Sequence, residues 1–220
     1  MDIGALWLTL KLATITTLIL LLIAIPLAGW LVLSRARWKP LIEALAALPL
    51  LLPPTVLGFY LLVLLGPRTA VGRGYAAVFG HPLTFTFAGL VVGSVIYSFP
   101  FALQPLASGF AAIDPAVMDA AKLLGANPAR LLLRILLPLA KRSMLTAAVL
   151  AFTHTIGEFG VVLMIGGDIP GVTRTLSISI FDQVQDFRYA QANHTALALL
   201  AFSFVALLLL YWRRSGASNA

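Results

Sequence analysis

Five long apolar stretches, separated by shorter polar segments, divide the chain. We predict that they form transmembrane helices at residues 6–33, 41–65, 83–103, 143–165 and 195–212. Each approaches or exceeds the roughly 20 residues that an α-helix needs to cross a hydrocarbon core about 30 Å thick. The first stretch is uniformly apolar, and we expect it to be a peripheral helix facing lipid. The pattern as a whole predicts an all-α, polytopic protein with a single transmembrane domain, residues 1–220.

The second stretch contains three prolines, Pro49, Pro53 and Pro54. A proline inside a helix removes one backbone donor and bends or breaks the helix. The stretch is therefore either one bent span, which gives five spans in total, or two pieces, which give six. Broken helices are tolerated in membranes where the backbone lines a cavity or is buried in protein. Pro53 and Pro54 are accordingly candidates for a gate element.

Composition agrees with a membrane protein. Apolar residues make up 60% of the chain and charged residues 10%, and the mean hydropathy is +0.99. Soluble domains carry roughly 25% charged residues, so a cytosolic enzyme and a disordered chain are excluded. Cysteine is absent, which leaves neither a disulfide framework nor a cysteine metal site.

The positive charges are distributed unevenly between the two sides of the membrane. The loops after the first and third spans, together with the tail after the fifth, carry ten of the 15 Lys and Arg residues. Cytoplasmic loops are enriched in Lys and Arg. We therefore expect a multi-pass protein of the cell (inner or plasma) membrane, with its N-terminus outside and its C-terminus in the cytoplasm. The net charge of +7 then reflects these loops. We expect the lipid bilayer, and no nucleic acid, as a partner.

The loop at residues 112–139 carries clear start and stop signals for helices. Asp114 precedes a proline, which is the pattern of an N-cap followed by proline at the first helical position. Gly125 is a C-terminal stop because glycine accepts the left-handed conformation. Asn127 precedes a second proline and repeats the start signal. We predict a short helix at 115–124, a glycine elbow and a second helix from residue 128.

The short helix needs something to pack against, because a helix of this length is marginal in water. On helical spacing, Val117, Ala121 and Leu124 share one face, with Met118 beside it. Such a face suits the cleft of a partner protein. It equally suits an interfacial helix that lies on lipid. Spacing alone leaves both interpretations open.

The same loop resembles a known signature. A carboxylate and two alanines begin at Asp119, a glycine follows at position 125, and Ile-Leu-Leu-Pro ends at Pro138. This resembles the EAA signature of ABC-importer permeases: Glu-Ala-Ala, three residues, Gly, nine residues, Ile-x-Leu-Pro. Aspartate here replaces the usual glutamate. The resemblance implies a type I ABC importer permease fold, in which this segment is the coupling helix that docks into a groove of an ATPase subunit. The residues implied in coupling are Asp119, Ala120, Ala121, Gly125 and Pro138.

Three further segments, residues 48–66, 156–160 and 169–175, are similar to the molybdate permeases. That resemblance covers nearly the whole chain. It implies a pore formed with a second copy of the chain, two cytoplasmic P-loop ATPase subunits and an external oxyanion-binding protein. The implied function is import of molybdate by alternating access. Sulfate, tungstate or another small solute is the alternative within this class.

The chain has no Gly-x-x-x-x-Gly-Lys-Ser/Thr P-loop. We therefore expect that it is not itself an enzyme and binds no cofactor, and that ATP and magnesium bind to the partner ATPase. The alternative from another class is a homodimeric secondary transporter or channel. A dual-topology transporter would show little charge bias, and a channel would not need the EAA spacing.

The fourth stretch contains two ionisable residues, His154 and Glu158, four positions apart and so on one face of a continuous helix. Ionisable groups at this depth are functional candidates by default. No metal site is expected, because the remaining ligands are not placed nearby. A carboxylate would repel an oxyanion. We therefore favour Glu158 as an organising residue, bonded to backbone donors or to a cation such as Arg174 or His154, over direct pore lining.

Hydroxyl groups and one cation complete the candidates for the translocation path or its gate. Thr153 and Thr155 could offer hydroxyls to a passing anion. Ser94 and Ser98 could do the same, although Ser and Thr in helices often bond back to a carbonyl of the preceding turn. Arg174, flanked by two threonines, could attract an anion near the outer mouth or contact the binding protein. A plain solvated loop is the other interpretation.

Overall fold

A computed structural model describes residues 2–215, and its regular elements in that range are all helical. The shortest helices lie in the loop after the third predicted span. In chain order they are α1 (Ile3–Leu33), α2 (Lys39–Leu51), α3 (Pro54–Leu65), α4 (Ala70–Phe79), α5 (Phe87–Ala111), α6 (Pro115–Leu123), α7 (Pro128–Leu131), a π-helical turn (Leu132–Leu136), α8 (Leu137–Leu139), α9 (Lys141–Gly157), α10 (Gly160–Gly166), α11 (Leu176–Gln185) and α12 (Tyr189–Ser215).

Within the described part of the chain, three helices are long and apolar enough to cross a membrane: α1, α5 and α12. Two bent pairs raise the number of candidate spans to as many as five. The chain bends by 113° between α2 and α3, and by 80° between the segment Pro128–Leu139 and α9. The all-α, polytopic architecture predicted from the apolar stretches is confirmed.

The bend between α2 and α3 lies at the predicted prolines. Leu52 and Pro53 have extended backbones, with ψ of 136° at both residues. A residue that precedes a proline is biased toward this extended region, and Pro54 then begins the next helix. The second apolar stretch is therefore broken into two helices.

Helix α1 is more than a peripheral helix. One of its faces packs against α5 and α9, and Leu20 on that face is fully buried. Leu18 and Leu22 lie on the opposite face and are 62% and 76% exposed. The expectation of a lipid-facing helix therefore applies to one side only. The reason is that small residues such as Ala24 and Ala28 let α1 approach the central helices closely.

The fourth apolar stretch was predicted to be one continuous helix. The structure divides it into two helices, α9 and α10. Helix α9 ends at Gly157, and Glu158 has an extended backbone with φ of −68° and ψ of 134°. The following helix, α10, packs against α3. This contact is close: a Cβ added at Gly160 would lie 2.7 Å from Cβ of Pro54. The break therefore turns the chain so that α10 can pack on the helix that begins at the proline bend.

Candidate functional site: an exposed helix and a cavity at a helix break

The predicted short helix in the loop after the third span is present as α6. Asp114 caps it, since its Oδ1 accepts a hydrogen bond from the Ala116 amide at 2.8 Å. At its other end Gly125 has φ of +80°. The Ala126 amide donates to the Ala121 carbonyl at 3.0 Å, and the Gly125 amide donates to the next carbonyl along the helix. These paired bonds around a left-handed glycine form a Schellman motif.

A second helical segment follows the elbow, as predicted. Asn127 accepts a hydrogen bond from the Arg130 amide at 2.8 Å and caps α7. The segment then loosens into a π-helical turn before Pro138, which lies in α8 and has no amide hydrogen to donate. After Ala140 the chain turns by 80° into α9. The elbow, the π-helical turn and Pro138 therefore connect α6 to the base of α9.

The side chains of α6 that face inward and outward are not grouped as predicted. Met118 is buried against the main core and Ala121 is half-buried, so these two side chains form the inner face. Val117, Leu123 and Leu124 face outward, and the last two are 89% and 86% exposed. Ala121 therefore does not share an outer face with Val117 and Leu124. Since α6 packs through Met118, its apolar outer side is left uncovered in the single chain.

The carboxylate of the signature is accessible. Asp119 pairs with Lys122 at 2.9 Å, and both side chains are more than half exposed. An exposed pair of this kind contributes little to stability, so Asp119 can exchange its partner at low cost. Ala120 and Pro138 are also exposed. Of the five residues implied in coupling, only Ala121 is partly covered by the rest of the chain.

A cavity of about 450 Å³ lies where α3 begins and where α9 breaks into α10. It brings together three of the residues predicted for the path or gate: Pro54, Thr153 and Glu158. Pro53 caps α3 beside it and is exposed. Two broken helices thus meet at one cavity, which is the setting in which interrupted helices are tolerated within a membrane. The lining residues are Pro54, Thr55, Tyr97, Thr153, His154, Gly157, Glu158, Phe159 and Gly160.

Glu158 is 4% exposed. Neither of its carboxylate oxygens has a hydrogen-bond partner among the described residues. The Ser94 hydroxyl is also buried without a hydrogen-bond partner, so it does not bond to this carboxylate. The expected bonding of Glu158 to His154, Arg174 or backbone donors is therefore wrong for the single chain. The helix ends before Glu158, so the spacing of four no longer places it on the face that carries His154.

His154 takes part in a different network. Its Nδ1 lies 2.9 Å from the Ser98 hydroxyl, which lies 3.1 Å from the Thr155 hydroxyl. Thr155 also bonds back to the carbonyl of Ala151 at 2.8 Å. The imidazole stacks on Phe101, with ring centroids 3.8 Å apart. The network ties α5 to α9 beside the cavity, and sequence reasoning missed it because only the packing of the helices aligns the two spans.

Thr153 and Arg174 complete the predicted set. The Thr153 hydroxyl donates to the Val149 carbonyl at 2.8 Å, and it lines the cavity. Arg174 does not reach the cavity. It forms a two-point ion pair with Asp168, at 2.5 and 2.9 Å, and lies 3.7 Å from Asp182. The hydrogen bond to Asp168 raises the pKa of the Arg174 guanidinium above its ordinary value. Its charge is thus compensated by Asp168 in the same loop and by Asp182 of α11.

Within residues 2–215 the structure contains no group of three His, Cys, Asp or Glu side chains able to hold a metal ion. The features that the chain offers are the exposed helix α6, a bend that joins it to α9, and a cavity at the far end of α9.

The sequence is similar to those of known transport proteins. Residues 20–214 match the family described as "Binding-protein-dependent transport system inner membrane component". The chain is 50% identical over 213 residues to the "Molybdenum transport system permease protein ModB" of Azotobacter vinelandii, covering 97% of this chain and 94% of that protein. It is 31% identical over 209 residues to the protein of the same name in Escherichia coli K12, covering 94% and 91%.

Solved structures with a similar fold come from ABC transporters. The chain matches a chain of the inward-facing MetNI methionine ABC transporter with a TM-score of 0.74 and 15% identity, covering 95% of this chain and 92% of that chain. It matches a bacterial ABC transporter for alginate with a TM-score of 0.73 and 17% identity, covering 99% and 79%. At this level of identity the likeness concerns the fold. Taken with the match over residues 20–214, it shows that the chain belongs to the inner-membrane components of binding-protein-dependent transport systems.

Proposed function

We propose that this chain is the membrane-spanning permease subunit of an ATP-driven importer for a tetrahedral oxyanion, and that the anion is molybdate. The observation that carries the proposal is the 50% identity, over 97% of the chain, to a protein named as a molybdenum transport permease. Tungstate and sulfate have the same tetrahedral shape and are the alternatives. The chain is a multi-pass membrane protein of a transport family, and it carries no P-loop in its sequence.

The proposed assembly contains a second copy of the chain, two cytoplasmic ATPase subunits and an external oxyanion-binding protein. The uncovered outer side of α6 supports an ATPase contact, because Leu123 and Leu124 expose most of their apolar surface beside the accessible carboxylate of Asp119. A single copy presents few spans to enclose an aqueous path, whereas a twofold axis can enclose one between two copies. ATP and magnesium would bind to the ATPase subunits and not to this chain.

The proposed mechanism is alternating access driven through α9. When the ATPase subunits close on ATP, they draw the two α6 helices together. The elbow and the bend after Ala140 pass this movement to α9, whose 17 residues extend about 26 Å. The far end of α9 is the break at Glu158, beside the bend of α2 and α3. Movement of α9 therefore opens or closes the cavity in which these two broken helices meet.

The orientation belongs to the same proposal. The ten Lys and Arg residues on one side support an orientation with α6 and the C-terminus in the cytoplasm and the N-terminus outside. The cavity at Glu158, at the opposite end of α9 from α6, then lies toward the external side. It lies on the side from which the binding protein would release the anion, where the two broken helices can act as a gate.

The test is uptake of radioactive molybdate into proteoliposomes that contain the chain and its ATPase, with the binding protein added outside. We expect uptake that requires both ATP and the binding protein, and that stops when the P-loop lysine of the ATPase is replaced. Excess tungstate and excess sulfate are added in parallel to identify the anion. Uptake that is independent of ATP would contradict the importer, and displacement by sulfate alone would contradict molybdate.

A further inference from the structure

A second cavity, of about 420 Å³, lies at the end of α9 near the coupling helix. It is formed between the last turns of α5 and the first turns of α9, so it is separate from the cavity at Glu158. No acidic side chain lines it. The lining residues are Pro105, Ser108, Gly109, Arg142, Ser143 and Thr146.

The contact between the two helices places the polar groups of this cavity. A Cβ added at Gly109 would overlap the Ser143 side chain, with Oγ only 2.0 Å away. Only a glycine lets α5 approach α9 this closely, and Ser143 is held at the contact. Thr146 donates its hydroxyl hydrogen to the Arg142 carbonyl at 3.0 Å. Its oxygen remains free to accept.

The cation in the cavity is uncompensated. The Arg142 guanidinium is exposed in the single chain, and it has no ion pair or hydrogen bond with any side chain that the structure describes. The hydroxyls of Ser108 and Ser143 likewise have no partner in that part of the chain. A planar guanidinium with several donors suits the geometry of an oxyanion, and its hydrogen bonds to an anion are charge-assisted. Two hydroxyls beside it can donate to further oxygens of a tetrahedral group.

Both cavities lie along one face of α9. Arg142 and Thr146 line the cavity near the coupling helix, while Thr153 and Gly157 line the other. The four residues follow one another at spacings of four, seven and four, which keeps them on the same side of an α-helix. The distance from the first to the last is about 22 Å. One helix face therefore connects the cavity at the break with the cationic cavity.

We propose that Arg142, Ser108 and Ser143 form a binding site for a tetrahedral oxyanion, used as the transported anion leaves the path near the coupling helix. This inference rests on the proposed function for the identity of the anion. The same chemistry would also recognise the phosphate of a phospholipid headgroup. The experiment therefore distinguishes the free anion from the lipid.

The experiment measures binding of radioactive molybdate to the purified transporter in dodecyl maltoside, which carries no phosphate, without the binding protein. Replacing Arg142 by glutamine should weaken binding at least about tenfold, the effect of losing charge-assisted hydrogen bonds. Arg142→Lys should recover part of the affinity. The matched control is Lys141→Gln, which removes the same charge one residue away and outside the cavity. It should stay within about twofold of the unmodified protein, since Lys141 does not line the cavity and its solvated charge is screened by salt.

The outcomes separate this inference from the proposed function. If Arg142→Gln and Lys141→Gln bind molybdate equally well, the site is wrong, even where ATP-dependent uptake by the unmodified transporter stands. Adding phosphatidylglycerol provides the second arm. If the lipid binds through Arg142 and molybdate binding does not depend on that residue, the exit site for the transported anion is overturned. Joint replacement of Ser108 and Ser143 by alanine should weaken molybdate binding without changing the amount of assembled transporter.

Discussion

Replacing Gly125 by valine tests whether the elbow after α6 sets the position of this helix, the proposed coupling helix. Gly125 has φ of +80°, a conformation that is rare for β-branched residues. Its amide and that of Ala126 close the end of α6 through bonds of 2.9 and 3.0 Å. A valine at this position must either accept the strain or leave the left-handed region. Leaving it would break both bonds and turn α6 away from its present direction.

The magnitude follows from the surroundings of this glycine. An added Cβ at Gly125 meets nothing within 4 Å, so the cost is confined to the backbone. Holding an L-residue in the left-handed region costs roughly 1–2 kcal/mol. That corresponds to a change of about 5–30-fold in the population of the elbow. The rest of the molecule does not depend on this contact, and we expect Gly125→Val to insert into the membrane in normal amounts.

The assay is co-purification of the ATPase with the mutant chain, together with anion-stimulated ATP hydrolysis. Gly125→Val should reduce the amount of co-purified ATPase, the anion-stimulated ATP hydrolysis, or both, by about 5–30-fold, the change in the elbow population. Gly125→Asn is the matched control, because asparagine tolerates the left-handed conformation, and it should remain close to the unmodified protein. Asp119→Lys tests the same surface through charge and should also weaken the ATPase contact. Normal coupling in both Gly125→Val and Asp119→Lys would refute the assignment of α6 as the coupling helix.

Three further predictions concern the cavity and the orientation of the chain. Gly160→Ala should reduce uptake, because its Cβ would lie 2.7 Å from the proline that begins α3. Gly157→Ala should transport normally, because its Cβ would meet nothing within 4 Å. Equal uptake by both variants would count against the contact. Glu158→Gln should retain most uptake, since it keeps the volume and replaces a buried carboxyl group that has no partner in the single chain. Loss of uptake with normal ATPase binding would show that the carboxyl group itself is required. A reporter fused after Arg214 should be cytoplasmic and one inserted at residues 166–170 external, and the reverse pattern would overturn the orientation.

Several features of this protein are determined by short segments of the sequence. The lengths of the apolar stretches predict the helices, because a bilayer sets how many residues a helix needs. The caps and the turn around α6 are also determined by neighbouring residues. Asp114 and Asn127 each cap a helix within three residues, and Gly125 adopts the left-handed conformation that other residues avoid. Such preferences act over a few neighbouring residues, so the pattern of residues is sufficient to predict them.

The break of the fourth stretch was not predictable in this way. Its residues are apolar enough to continue as a helix, and the stretch was expected to be continuous. The helix ends at Gly157 instead, and α10 packs against α3 through the close contact of Gly160 with Pro54. The partner in this contact is more than 100 positions away in the chain. The location of Glu158 therefore depends on the packing of another helix.

The partners of the polar side chains were decided by tertiary structure for the same reason. His154 bonds to Ser98, 56 positions earlier, and not to Glu158 four positions later. Arg174 pairs with Asp168 in its own loop and lies away from the cavity. Helical spacing determines which residues share a face of one helix, but not which faces of different helices meet. Local residue patterns are therefore enough to predict the helices, the elbow and the candidate residues, whereas the packing of α3, α5, α9 and α10 selects which of those residues line a common cavity.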